Sequence, residues 1–245
     1  MAKKIFAANW KLNKTPSESK MFFENLLPKV NAEFFLSKEL IFFPQNFSLD
    51  VTAQILRMSS VGFGPQNIHF EKSGAFTGEN SAEVAKKMDC KYILLGHSER
   101  RQFFAENHLA LSKKVKQVQD LDLIPVFCIG ETLEQREQGK TGFICAEQLT
   151  EGLKLADKTK RLIVAYEPVW AIGTGKVATL DQVKEAHDMI HNFLASHLYA
   201  DYQILYGGSV KPDNSKDLLS IPHVDGFLVG GASLEVDSFL KICQP

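Results

Sequence analysis

The chain has few of the features that mark specialised protein classes. Its four cysteines (Cys90, Cys128, Cys145 and Cys243) lie far apart, with no C-x-x-C pair and no histidine at metal-ligand spacing. That excludes a zinc ribbon or a disulfide framework and leaves four reduced, cytosolic-type thiols. Net charge is nearly absent: 28 Lys and Arg oppose 29 Asp and Glu in 245 residues. Nothing therefore draws the protein to nucleic acid or an anionic membrane, and any anionic ligand must be held locally. Long apolar runs are missing too. The longest, near 226–234, contains three glycines and stays far short of the ~20 residues of a membrane span. The amino terminus, M-A-K-K-I-F-A-A-N-W-K, is interrupted by Asn9 and Lys11 before a secretory apolar region could form. No Gly/Ser/Pro-rich linker divides the sequence, so one soluble, cytoplasmic domain spanning 1–245 is expected.

What is present alternates. Short β-branched and aromatic runs recur at about 4–8, 39–43, 60–64, 91–95, 124–128, 162–166, 203–206 and 226–229. Segments of helical periodicity separate them, as after the Thr15-Pro16-Ser17 start signal. Near-continuous apolar strands joined by crossover helices imply parallel pairing with both faces covered. Eight such units in this length predict an α/β fold, a closed (β/α)8 TIM barrel of eight parallel strands. An open doubly wound sheet would carry G-x-G-x-x-G after its first strand, where this chain has N-W-K.

Polar residues follow the strands. Asn9 and Lys11 come after the first, Gln66 and Asn67 after the third, His97 and Glu99 after the fourth, Gly130 and Glu131 after the fifth. Glu167 follows the sixth, Gly207, Gly208 and Ser209 the seventh, Gly230 and Gly231 the eighth. In a parallel barrel all strands end on one rim, so these groups converge. Paired glycines after the last two strands predict a phosphate site. His97 begins a helix, whose amino end disfavours a charged imidazole. Glu167 leaves a buried strand ahead of Pro168, and the apolar Val169–Ile172 followed by Gly173, Thr174 and Gly175 reads as a lid. A base under a lid, a neutral donor, a cation and a phosphate site suit proton abstraction beside a carbonyl. No G-x-S-x-G elbow supports acyl transfer, and Cys128 reads as core rather than nucleophile.

The motifs N-W-K (9–11), G-A-F-T-G-E (74–79), G-H-S-E-R-R (96–101), C-I-G-E (128–131), A-Y-E-P-V-W-A-I-G-T-G-K (165–176), Y-G-G-S-V (206–210) and L-V-G-G-A-S-L (228–234) closely resemble the triosephosphate isomerase family over the whole chain. The resemblance implies catalysis by Glu167 as base, His97 as neutral electrophile and Lys11 as stabiliser, with Asn9 beside them. Gly173, Ser209, Gly230 and Gly231 would meet the phosphate of dihydroxyacetone phosphate or D-glyceraldehyde 3-phosphate, and Glu99 would hold the resting position of Glu167. No metal or cofactor is implied. Residues Gly74 to Glu79 would dock into a second subunit, with Thr77 near its Asn9 and Lys11, giving a homodimer. Two positions depart from the family: His191 replaces an Arg expected to pair with Asp225, and Val177 replaces a Thr at the lid exit. The alternatives are a phosphate-binding barrel for a longer sugar phosphate and a non-catalytic barrel. Retention of Asn9, Lys11, His97 and Glu167 together opposes both.

Overall fold

The structure is a computed structural model that describes residues 2–172 and 177–244. Eight parallel strands form one sheet: β1 (Lys4–Asn9), β2 (Lys38–Phe43), β3 (Gly62–Phe63), β4 (Tyr92–Leu95), β5 (Ile124–Ile129), β6 (Leu162–Tyr166), β7 (Tyr202–Tyr206) and β8 (Gly226–Val229). Their order is β3-β2-β1-β8-β7-β6-β5-β4. First and last strands pair, Ile5 opposite Gly226 through Ala8 opposite Val229. This is the TIM barrel expected, with one difference. No ladder joins β3 to β4; two bonds bridge them instead, Lys91 N to Phe63 O and Leu94 N to Pro65 O, each 3.1 Å. The third strand is two residues long, because the Gly64-Pro65 that follows offers neither a β-favouring side chain nor, at Pro65, a ladder N–H.

Strand alternation divides the core. Ile5, Ala7, Ile41, Phe43, Leu94, Val126, Cys128, Ile163, Ala165 and Leu205 point into the barrel. Their neighbours Phe6, Ala8, Phe42, Phe127 and Val164 face the helices. The β1–β8 contact requires glycine at 226: φ is +144°, and a Cβ there would sit 1.8 Å from the Ile5 carbonyl oxygen. Helix starts follow the sequence signals. Thr15 caps Pro16–Leu26 in a reciprocal box with Glu18, and Thr179 caps Leu180–Ser196 with Gln182. All four cysteines are buried and unpaired. Among the described residues no helix is long and apolar enough to cross a membrane.

At position 191 the departure from the family has a visible result: His191 makes no bond to Asp225; its Nδ1 lies 3.0 Å from the Tyr202 hydroxyl, and its ring stacks on His223 at 3.7 Å. Asp225 instead accepts from Ile204 N at 3.0 Å and faces Lys4 at 3.8 Å. An imidazole lacks the reach and the fork of a guanidinium. Beneath this stack His187 is fully buried, with Nδ1 2.9 Å from the His223 carbonyl. Burial lowers its pKa from 6.5 to about 4. The unfolded chain therefore takes up a proton that the folded chain refuses, and stability present above pH 6.5 drains as pH falls toward 4. The protein should be about 1 kcal/mol less stable at pH 5.5 than at pH 6.5 from this group. Urea unfolding of wild type and His187→Gln at both pH values measures it; an unchanged difference in the variant would assign the loss elsewhere.

Candidate active site

The chain ends of β1, β4, β6, β7 and β8 meet around a cavity of about 90 Å³. Asn9, Lys11, His97, Glu167, Ser209 and Gly230 all line it, and Gly231 opens the turn beyond Gly230. Gly173 lies outside the described residues. Residues separated by more than 200 positions in the chain are thus brought together, because parallel strands deliver their carboxyl ends to one rim.

Lys11 is held in a strained, left-handed conformation, φ +51°, that a non-glycine residue adopts only when its surroundings impose it. Asn9 Oδ1 accepts from Lys11 N at 3.1 Å, and Gln66 Nε2 donates to Lys11 O at 2.8 Å and to Phe43 O at 2.9 Å. The side chain runs past Gly230, whose Cβ would lie 3.8 Å from Lys11 Cε. The ammonium therefore lies beside the last glycine loop, as β1–β8 adjacency requires. Its partner is Glu99 Oε1 at 2.6 Å. Here the structure corrects the role expected of Glu99: it holds Lys11, and the resting Glu167 lies instead against His97 Nε2 at 3.1 Å and Ser98 N at 3.4 Å.

Glu167 and His97 are both buried, with His97 Nε2 3.1 Å from Glu167 Oε1. Burial opposes the Glu167 charge, but His97, Lys11 and the Ser98 amide outweigh it and hold the carboxyl below its usual range. It is ionised, the form a base requires. His97 caps the helix Ser98–Phe103, and its Nδ1 accepts from Glu99 N at 3.2 Å. The proton of a neutral ring is thereby confined to Nε2, facing Glu167. Burial lowers the imidazole pKa, whereas the Glu167 and Glu99 carboxylates raise it, and the net direction in the resting site is upward. That differs from the lowering expected of a helix start, because the carboxylate in direct contact acts at shorter range than the helix end.

Two glycines seat Glu167. A Cβ on Gly130 would fall 1.8 Å from the Glu167 carbonyl oxygen, and one on Gly207 2.7 Å from Glu167 Cγ. Gly130 cannot retreat, since Gln148 clamps it with bonds of 2.8 Å to its N and 3.0 Å to its O. Gly208 lies over Tyr206, 2.2 Å from its hydroxyl were a Cβ added. The segment after Glu167 is anchored by Glu131, which is completely buried. It accepts from Trp170 Nε1 at 3.0 Å, Arg136 Nη1 at 3.0 Å and the Tyr166 hydroxyl at 3.1 Å. Ser209 Oγ donates to Ala171 O at 2.7 Å, tying the seventh loop to the same segment. Val177 is half-exposed at the far side of the loop.

Sequence similarity agrees with this geometry. A family model described as triosephosphate isomerase matches residues 4–245. The chain belongs to the triosephosphate isomerase family. The triosephosphate isomerase of Bdellovibrio bacteriovorus is 52% identical over 245 residues, covering 99% of each chain. Those of Dictyoglomus turgidum and Carboxydothermus hydrogenoformans are 41% and 42% identical, covering all of this chain and 99–100% of their own.

Gln148 and Ser98 were not singled out from the sequence. Ser98 acts through a backbone amide, which any residue supplies. Gln148 lies mid-helix, where nothing in its spacing announces a bond to a loop 18 residues earlier. Glu131 was visible as a rim carboxylate, but a solvated helix start reads the same way until its burial and its contacts with Arg136 and Trp170 are known.

Proposed function

We propose that the chain interconverts dihydroxyacetone phosphate and D-glyceraldehyde 3-phosphate through an enediolate, as a single-domain isomerase of the cytoplasm. The observation that carries this reading is the buried His97–Glu167 pair at the floor of a cavity walled by Lys11 and the two glycine loops. Substrate entering between the pair puts its carbonyl oxygen at His97 Nε2–H and its C1 hydrogen at Glu167. The carboxylate removes that proton, the imidazole donates toward the oxygen that gains charge, and the Lys11 ammonium balances the developing anion. Return of the proton to C2, together with transfer of the hydroxyl proton from the C1 oxygen to the C2 oxygen by way of the imidazole, completes the isomerisation. Once substrate separates Glu167 from His97, the largest influence raising the imidazole pKa is withdrawn and burial favours the neutral donor. Breaking the long Ser98 amide contact is the small cost of releasing the base.

Ser209 and the Gly230–Gly231 turn would receive the phosphate, together with Gly173. The cavity is small, about 90 Å³, which favours a three-carbon phosphate over a longer sugar. A coupled assay on glyceraldehyde 3-phosphate, run beside a pentose phosphate, tests the reading. Turnover of the pentose phosphate without the triose would overturn it.

We also propose a homodimer. Residues 71–79 are all exposed, and Phe76 at the tip of the Gly74–Glu79 loop stacks, among the described aromatic rings, only on His69 at 4.1 Å. Leu12 and Phe47 are 88% and 89% exposed near the rim, where Gln45 joins the two loops through Asn13 O. A protruding loop and an exposed apolar pair are complementary halves of an isologous contact. Phe76→Asp should convert the species seen in sedimentation from two chains to one; a wild type already monomeric at micromolar concentration would end the proposal.

A further inference from the structure

The opposite rim, where the strands begin, carries a feature the isomerase chemistry does not use. A cavity of about 290 Å³ opens there, with Lys3, Lys38, Lys91 and Arg161 on its wall against one carboxylate, Glu39. Glu39 is already committed. Arg161 Nη2 donates to its Oε2 at 2.8 Å, and the Tyr92 hydroxyl donates to its other oxygen. Arg161 is further fixed by Gln203 Oε1 at 2.8 Å. Among the described residues none of the three lysine ammonium groups has a hydrogen bond or an ion pair. Lys38 lies only over the Phe34 ring, at 5.1 Å. The neighbouring charges do not compensate. Lys4 is turned to Val224 O and Asp225, and Asp201, just ahead of β7, acts on Arg161.

Like charges gathered in a concavity repel one another, and low-dielectric walls focus their field into the opening. In a protein of net charge −1 this concentration is local, and it has the two elements a polyanion needs. The held guanidinium offers a planar, pre-positioned donor, and the three ammonium groups on their long stems can close around charge from several directions. A single phosphate would satisfy at most part of this set, whereas several linked phosphates span it. We propose that the amino-terminal mouth of the barrel binds a compact oligophosphate, either free or as the phosphate chain of a nucleotide.

Calorimetric titration of the whole protein with tripolyphosphate, and separately with ATP, tests this. The control for binding in the catalytic cavity is Lys11→Ala, which removes that cavity's cation. Tripolyphosphate affinity should fall at least tenfold in the double variant Lys38→Ala/Lys91→Ala, persist in Lys11→Ala, and weaken steeply with added salt. The KM for triose phosphate should be unchanged in the double variant. ATP binding of comparable strength assigns the site to nucleotides as well, and its absence restricts it to the free anion. No tripolyphosphate heat in wild type, equal affinity in the double variant, or loss in Lys11→Ala would each overturn the proposal.

Discussion

Glu167→Asp should lower turnover roughly 10²- to 10³-fold while leaving KM within a few-fold. The shorter side chain keeps the charge but withdraws the carboxylate by about 1 Å, and misplacement on that scale is enough to cost two orders of magnitude in a proton transfer. Little in the site can compensate. The backbone of Glu167 is fixed by its N–H bond to Ile129 O at 2.7 Å, and the carbonyl of Glu167 rests against Gly130. The base therefore cannot follow its lost methylene toward substrate. Binding should survive, because Lys11, Ser209 and the glycine loops are untouched. Steady-state kinetics on glyceraldehyde 3-phosphate give both quantities, and near-normal turnover would remove Glu167 as the base.

Gly130→Ala should be comparably damaging without altering any ionisable group. Its methyl would occupy the position of the Glu167 carbonyl oxygen, 1.8 Å away, so one of two backbones must move by more than 1 Å. Neither is free to do so, with Gln148 holding one and β5 the other. We expect turnover to fall by about 10²-fold or more, with a lowered Tm from the overpacking. Turnover and Tm both near wild type would show that the contact relaxes and that the height of Glu167 does not depend on it.

The barrel was legible because each strand is a nearly unbroken apolar run and each crossover carries helix signals, so period and punctuation agree. The rim residues were legible by the same logic, since β/α alternation alone places Lys11 and Glu167 on one face. The pairing within the rim was not. Which partner Glu99 reaches depends on side-chain length and on Lys11's left-handed backbone, neither of which is a sequence pattern. The resting His97 shows a similar limit: a helix start argues for a lower pKa, but a carboxylate 3.1 Å away decides the direction. His191 was recognised as a departure, while its stack on His223 depended on a loop residue 32 positions later whose placement no periodicity reports.

The missing β3–β4 ladder has a topological consequence. Because β1 and β8 are hydrogen-bonded, the one interrupted junction of the ring falls in mid-sequence and not at the chain ends. Counting from β4 onward and passing from the last strand to the first, every laced neighbour is consecutive: β4, β5, β6, β7, β8, β1, β2, β3. The hydrogen-bonded sheet is thus that of a circularly permuted chain whose natural opening lies between β3 and β4. Joining residues 1 and 245 and opening the chain between β3 and β4 would sever no ladder, so the permuted chain should keep every strand pairing of the barrel.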